Sequence, residues 1–358
     1  MQSQDLVAIR RQICQQASIG APEDPCSSCD FIQGTGHKPY AGGQCNVFAL
    51  KDHLDRCVAT RVFLQPGPSS VFILLKELKC RREIKRRKIK FFQDVISSSE
   101  TGNQLIRNPF ICLSWAEGEP LIWSDCVPEA RSDRNNLIKK IANICLDLMS
   151  IREKCTSAKD KVIVKIQRKI ERAEKGSYSG GYVQSCKKQM SLLERYWNPH
   201  LDNEQRVLVH GDLSANNIIM DQHSNLKRLP LADTQSVYDF ANLDSILDLG
   251  WAEMVPLQFA ATYPRFLPHE PQSHGTFDWV TTNTDCMQKD RLVFRECVRE
   301  RAIHEGGFCQ VYHDILCRDD EVNRYWWFIA ISEADKHMAM ESCNWNPEPP
   351  KCYAIRWP

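Results

Sequence analysis

The segment VLVHGDLSANNIIM, residues 207–220, carries an acid and an amide at a spacing suited to phosphoryl transfer. The apolar run Val207 to Val209 predicts a buried strand, and Ile218 to Met220 predicts a second strand. Between them, Asp212 precedes Asn217 by five positions. A carboxylate in such a loop can orient an attacking hydroxyl and accept its proton, and an amide oxygen can ligate Mg²⁺. The alternative is an ordinary strand-turn-strand with polar turn residues.

The residue order from His210 to Asn217 is H-x-D-x-x-x-x-N, which matches the catalytic loop of kinases. Gly211 stands where protein kinases usually carry arginine. A site of this kind needs a further carboxylate, placed after the next strand, to complete the Mg²⁺ ligands. Asp233 has the more usual spacing from Asn217, whereas Asp248 has the better strand-then-acid context. The pattern alone leaves both open.

Length and composition restrict the class of protein. A chain of 358 residues is long for one core, which favours two lobes. Hydrophobic content of 42% is ordinary for a soluble globular protein. A formal net charge of +1 gives no global field that would favour nucleic acid or an anionic membrane. No apolar run approaches the roughly 20 residues that span a bilayer, and the polar start lacks the apolar core of a secretory signal. We therefore expect a cytoplasmic protein with neither nucleic acid nor a membrane as its partner.

The 17 cysteines are scattered through the chain. An odd number without a signal peptide argues against a disulfide framework, and most lie in apolar or helical patterns, as Cys145 does. Cys26 and Cys29 form the one C-x-x-C. Without a second pair at suitable spacing, this motif does not predict a structural zinc site.

A glycine turn precedes two predicted strands near the start of the first lobe. Gly42 and Gly43 lead into the strand that contains Cys45 to Phe48, and a second strand covers Cys57 to Leu64. Glycines in such a hairpin let backbone amides approach nucleotide phosphates. The signal is weak by itself, because many hairpins contain a pair of glycines.

A basic segment follows, and we predict a helix from Lys76 to Val95. Nine Lys or Arg residues lie between positions 76 and 90, and a solvated helix face explains them better than a nucleic-acid or lipid contact. Glu83 is the one acid in its basic core and is a candidate ion-pair partner for Arg61, as in the pair that kinases use to hold a phosphate-binding cation. A surface pair with Arg87 is the alternative.

Two segments closely resemble the aminoglycoside-phosphotransferase-like (choline-kinase-like) family, especially its filamentous-fungal members. They are HGDLSANNI and LDLGWAEMVPLQFAATYPRFL, and the second is similar to the family motif that contains the metal-binding acid. Upstream, YAGGQCNVF, VATRVF and NPFICLSWAEGEPL resemble the family's glycine turn, its cation-bearing strand and its hinge between lobes. Together these segments touch most of residues 40–270.

The resemblance implies an α+β, bilobal protein-kinase-like fold with a small β-rich N-lobe and a larger, mostly helical C-lobe. On this basis we divide the chain into an N-terminal helix and loop (1–39), an N-lobe with the nucleotide-binding hairpin and hinge (40–118), a C-lobe with the catalytic loop and metal site (119–345) and a tail (346–358). ATP and Mg²⁺ are the implied co-substrate and cofactor, and the implied partner is a small molecule with a hydroxyl group.

The resemblance also assigns roles by position. Asp212 would be the catalytic base, and the metal ligands would be Asn217 and Asp248, which favours Asp248 over Asp233. The implied nucleotide-binding residues are Gly42, Gly43, Arg61, Glu83, Leu113 and Trp115, with Arg61 on the phosphates, Glu83 as its ion-pair partner and the last two in the hinge.

Departures from the family pattern leave other readings open. Arg61 stands where a lysine is often found, and a guanidinium is not a like-for-like replacement. We interpret residues Arg228 to Asp244 as a surface insertion, because the connection between the two strands is longer than usual. If this segment were ordered in the cleft, Asp233 would be the metal ligand in place of Asp248. A catalytically silent kinase-like protein that binds nucleotide or a protein partner is the alternative function. Nucleic-acid binding through KCRREIKRRKIK is a third, and it lacks interleaved aromatic residues.

Overall fold

The structure is a computed structural model that describes part of the chain. The described residues are 30–31, 40–41, 44–51, 56–101, 108–154, 157–177, 182–202, 205–221, 243–267, 284–318, 327–328 and 331. The predicted helix near the N-terminus, the glycine pair at 42–43, Asp233, nearly all of the suspected insertion and the tail lie outside them.

These residues form two compact units. Unit 1 takes the described parts of Met1–Pro120, Asn217–Pro230 and Asn242–Ala252. Unit 2 takes those of Leu121–Asn216, Leu231–Ala241 and Glu253–Pro358.

An antiparallel sheet forms most of unit 1, with the order β1-β3-β4-β6-β5 and β2 beside β3. Its strands are β1 (Asp30–Phe31), β2 (Tyr40–Ala41), β3 (Cys45–Lys51), β4 (Cys57–Phe63), β5 (Val95–Ser99) and β6 (Phe110–Ser114). Side chains alternate between the two faces, as the period of a strand requires. One face packs around Phe48, Val58 and Phe110, and the other around Phe63, Leu74 and Ile111.

Helix α1 (Pro68–Arg86) supplies Leu74 to the second face of the sheet. The helix begins at Pro68, eight residues before the predicted Lys76, because proline is favoured in the first helical turn. It ends at Arg86, so the predicted extension to Val95 is wrong; Val95 instead starts β5. The buried positions of α1 are Leu74, Glu77, Cys80, Arg81 and Ile84, a face that includes two charged residues.

A smaller sheet in unit 1 has the order β11-β10-β7. It consists of β7 (Glu119–Pro120), β10 (Ile218–Met220) and β11 (Leu243–Ile246). Gly118 has a φ of 127°, and a Cβ atom there would lie 2.0 Å from the Met220 carbonyl oxygen. Glycine is therefore required where the chain passes this strand.

Unit 2 contains a three-stranded sheet, β12-β9-β8, and most of the helices. The strands are β8 (Arg152–Glu153), β9 (Arg206–Val209) and β12 (Glu253–Pro256); the helices are α2 (Arg131–Met149), α3 (Ala158–Glu174), α4 (Val183–Ser191), α5 (Leu193–Tyr196), α6 (Leu257–Ala260), α7 (Asp285–Glu305) and α8 (Gly307–Leu316). The predicted strand at 207–209 is present as β9. Strand β12 lies in a region that we predicted to be mostly helical.

A buried ion pair joins two of these helices. Arg134 of α2 lies against Asp290 of α7, and both side chains are almost completely excluded from solvent. Arg134 also donates to the carbonyl oxygens of Ser124 and Val127, at 2.6 and 2.9 Å. The guanidinium thus gives the buried carboxylate an ion-pair partner and the two loop carbonyl oxygens a hydrogen-bond donor. Buried charged groups need such partners, because burial without them is costly. No helix in the described part of the chain is long and apolar enough to cross a membrane.

Candidate functional site

Strand β9 ends at Val209 and delivers the predicted catalytic loop. His210 is buried, and Gly211 has a φ of 82°, a left-handed conformation that favours glycine. The Asp212 amide donates to His210 Nδ1 over 3.3 Å, and its carbonyl accepts from the Ser214 amide over 3.0 Å. The loop therefore has a defined backbone that fixes where the Asp212 side chain starts.

Arg265 lies against the Asp212 carboxylate. Its Nη1 atom is 2.8 Å from Asp212 Oδ1. Both residues belong to unit 2, although 53 positions separate them in the chain. We assigned no role to Arg265 from the sequence.

The two predicted metal ligands lie at the same end of the β10–β11 pair in unit 1. Ile218 is paired with Ile246, and one residue further the Leu247 amide donates to the Asn217 carbonyl over 2.8 Å. Asp248 follows immediately. The register of the strands thus brings an amide side chain and a carboxylate side chain to one edge.

Asp248 has an uncommon backbone conformation, with φ 53° and ψ 67°. Among residues with a side chain, aspartate and asparagine adopt this left-handed region most readily. Its Oδ1 atom accepts from the Gly250 amide over 3.3 Å, at the start of a short 3₁₀ turn, Leu249–Trp251. The carboxylate is about one-third exposed, at 35%.

Arg61 connects this carboxylate to helix α1. Its Nη2 atom is 3.1 Å from Asp248 Oδ1, and its Nη1 atom donates to both Glu77 carboxylate oxygens, each at 3.1 Å. The Arg61 side chain is 14% exposed and that of Glu77 is fully buried. Burial alone would lower the pKa of Arg61, but the Glu77 and Asp248 carboxylates outweigh it and raise that pKa. The guanidinium is therefore firmly cationic.

Our prediction that Glu83 pairs with Arg61 is wrong. Glu83 lies on the exposed side of α1, where Arg86 donates to it at 2.7 and 3.0 Å. Glu77 takes the predicted place because it lies on the buried face together with Leu74 and Ile84. The buried ion pair itself was expected; its acidic member was misassigned by six positions.

A second buried arginine completes the group, which we call the Arg61 cluster (Arg61, Glu77, Arg81 and Asp248). Arg81 Nε donates to Glu77 Oε1 over 2.9 Å, and Arg81 Nη1 donates to the Gln93 carbonyl over 2.8 Å. Burial lowers the pKa of Arg81, and Glu77 opposes this shift. The cluster holds two positive and two negative side chains, so the charges balance.

Glu77→Gln should lower the free energy of unfolding by about 3 kcal/mol, because it leaves two buried guanidinium groups facing one carboxylate. Urea denaturation measures the change. Glu83→Gln is the matched control on the same helix; it breaks an exposed pair, and such pairs contribute little. Equal effects of the two substitutions would contradict the assignment of Glu77 as the partner of Arg61.

Of the four remaining predicted nucleotide-binding residues, the structure describes two. Gly42 and Gly43 lie outside the described residues. Leu113 is buried in the sheet, paired with Ala59 and Val95, so its side chain belongs to the core. Trp115 follows β6, and its amide donates to the Cys57 carbonyl over 3.2 Å. The roles of all four residues toward a nucleotide stay predictions.

The donor atoms fit a hard divalent cation. Carboxylate and amide oxygens suit Mg²⁺, which is bound in proteins by one or two carboxylates together with phosphates and water. Within the described residues, no group of three or more His, Cys, Asp or Glu side chains forms a metal site. Asn217 and Asp248 offer two oxygen donors of the kind that Mg²⁺ prefers, and their role as metal ligands stays a prediction.

Comparison with known proteins identifies the fold. No protein-family model matches the chain, and no curated protein sequence matches it significantly. Among solved structures, the gentamicin complex of APH(2'')-IIa is similar, with a TM-score of 0.55 and 14% identity over 96% of this chain and 95% of that one. An aminoglycoside phosphotransferase described as putative, from Ralstonia eutropha JMP134, has a TM-score of 0.51 and 9% identity over 95% and 94%.

At these sequence identities, the structural similarity shows the fold alone. The predicted α+β, bilobal protein-kinase-like fold is confirmed, and it is the fold of the aminoglycoside phosphotransferases.

Proposed function

We propose that this protein is a small-molecule kinase that transfers the γ-phosphoryl group of ATP to a hydroxyl group. The observation that carries the proposal is the position of Arg61, bonded to a buried acid of α1 and to an acid that follows the strand paired with β10. A cation held in this way, beside an amide and a carboxylate of unit 1, has the composition of a phosphate and Mg²⁺ site.

The roles follow from the chemistry of each side chain. Asp212 orients the acceptor hydroxyl and accepts its proton. Asn217 and Asp248 hold Mg²⁺, which would neutralise phosphate charge when bound. Arg61 binds phosphate oxygens, and Glu77 holds the guanidinium in place.

The use of arginine instead of lysine is consistent with this geometry. The planar guanidinium places one nitrogen on Glu77 and the other on Asp248. A lysine has a single ammonium group on a flexible stem and cannot reproduce a fork of donors in fixed directions. Arg61 therefore positions an acid of the metal site as well as carrying positive charge.

The acceptor is a small molecule with a hydroxyl group. The gentamicin bound by APH(2'')-IIa belongs to that protein, and it enters here as one compound to test. Membership of the aminoglycoside-phosphotransferase-like family, in its filamentous-fungal branch, rests on the motifs at 210–218 and 247–267. A cytoplasmic location, where ATP and Mg²⁺ are supplied, is part of the same proposal.

Transfer of labelled phosphate tests the function directly. The purified protein is incubated with γ-labelled ATP, Mg²⁺ and either a metabolite extract or a panel of hydroxylated compounds that includes gentamicin. We expect label in an organic product, dependent on both Mg²⁺ and protein. Binding of Mg·ATP without transfer to any compound or to water would instead support the catalytically silent alternative.

A further inference from the structure

The segment that carries Arg265 is fixed to the rest of unit 2 on both sides. The Thr262 carbonyl accepts from the Tyr312 hydroxyl over 2.6 Å, and Phe266 and Leu267 are fully buried. The Arg265 amide donates to the Leu213 carbonyl over 3.1 Å, which joins the segment to the catalytic loop next to Asp212. The backbone of Arg265 is therefore set by packing that is independent of its own charge.

The side chain itself is much less buried than its neighbours. Arg265 is 43% exposed and Asp212 is 25% exposed. Exposed ion pairs contribute little to stability, with a median of about 0–1 kcal/mol. Two fully buried residues, a backbone hydrogen bond and a tyrosine contact thus hold an arginine whose contribution to folding is small.

We infer that Arg265 is a positioning residue for Asp212. The inference rests on the proposed phosphotransferase function and adds a residue that the kinase motif does not contain. By donating to Oδ1, Arg265 limits rotation of the Asp212 carboxylate about its terminal bond, a torsion that is otherwise broad. A fixed carboxylate presents its second oxygen to the acceptor in one direction, and small misplacements of reacting groups reduce rates strongly.

Arg265→Met removes the charge and keeps most of the apolar stem. We expect kcat to fall about 10- to 100-fold, as for a misplaced catalytic group. The KM for ATP should stay within about twofold, because the change removes an interaction that matters mainly in the transition state. Arg265→Lys should recover part of the rate. Phosphate release from γ-labelled Mg·ATP, with water as the acceptor, provides the measurement without knowledge of the natural substrate.

A double-substitution cycle separates positioning from a structural role. If Arg265 acts through Asp212, adding Arg265→Met to Asp212→Asn should cause no further loss of rate, since residues that act as a unit are non-additive. Arg299→Met is the matched control: Arg299 is 47% exposed, pairs with Glu296 at 2.6 Å and should leave the rate unchanged.

The possible outcomes are distinct. Wild-type protein without phosphate release or transfer would reject the proposed function, and the inference with it. An active wild type with a fully active Arg265→Met variant would reject the inference alone. A raised KM for an identified acceptor at constant kcat, or additive losses in the cycle, would likewise overturn positioning, the first in favour of acceptor binding.

Discussion

Asp212→Asn should lower the rate of phosphoryl transfer by about 10²- to 10⁴-fold, the range typical of a lost general base. Asparagine keeps the size of the side chain but cannot accept the acceptor's proton. The main-chain bonds of the loop, to His210 and Ser214, do not involve the carboxylate, so the fold should be retained. Labelled-phosphate transfer measures the rate, and thermal unfolding checks the fold.

Asp94→Asn is the control for this substitution. Asp94 forms an exposed ion pair with Lys85, whose 2.8 Å length equals that of the pair between Asp212 and Arg265. Loss of an ion pair as such should therefore leave activity unchanged. If Asp212→Asn also kept the wild-type rate, Asp212 would not be the base.

Asp248→Asn should lower the rate by about 10²- to 10³-fold, the loss expected when a preorganised electrostatic group is removed from a reacting site. It should also raise the Mg²⁺ concentration needed for half-maximal activity. Asparagine is chosen because it tolerates the left-handed backbone at this position, with φ 53°, and retains an oxygen for the Gly250 amide. Alanine would add backbone strain to the loss of a ligand.

A titration of the rate with Mg²⁺, in the wild type and in Asp248→Asn, provides the measurement. The Arg61 contact with Glu77 remains in the variant, so helix α1 keeps its anchor. An unchanged Mg²⁺ dependence would remove Asp248 from the metal site and return attention to Asp233. Asp94→Asn again serves as the control, because it changes an acid of unit 1 outside the Arg61 cluster.

Local pattern was sufficient to predict the strands on both sides of the catalytic loop. Val207 to Val209 and Ile218 to Met220 are short apolar runs that end at turn residues, and both form strands. A strand was likewise predicted over Cys57 to Leu64, and β4 ends one residue earlier, at Phe63. These elements depend on neighbours in the chain, and a single sequence contains that information.

We assigned Glu83 and not Glu77 as the partner of Arg61 because we placed the start of the helix too late in the sequence. We started the helix at the basic run, which made Glu83 the conspicuous acid. Pro68 is a helix-start signal, and a helix from there places Glu77 on the face of Leu74 and Ile84. The helical period, counted from a start at Pro68, would thus have predicted that Glu77 is the buried acid.

Other features have no local signal. Arg265 reaches Asp212 across 53 positions, and nothing in the residues around either one records the contact. Asp248 likewise adopts a left-handed backbone at the start of a turn, and its carboxylate contacts the distant Arg61. Contacts of this kind are set by tertiary packing, which overrides local preference.

The double engagement of Arg61 has a mechanical consequence. One rigid, planar group bonds helix α1 through Glu77 and the 3₁₀ turn through Asp248, and the helix also packs against that turn. A displacement of the helix along its axis stretches one of the two bonds unless the turn moves as well. We therefore expect the carboxylate of Asp248 to follow any shift of helix α1 along its axis.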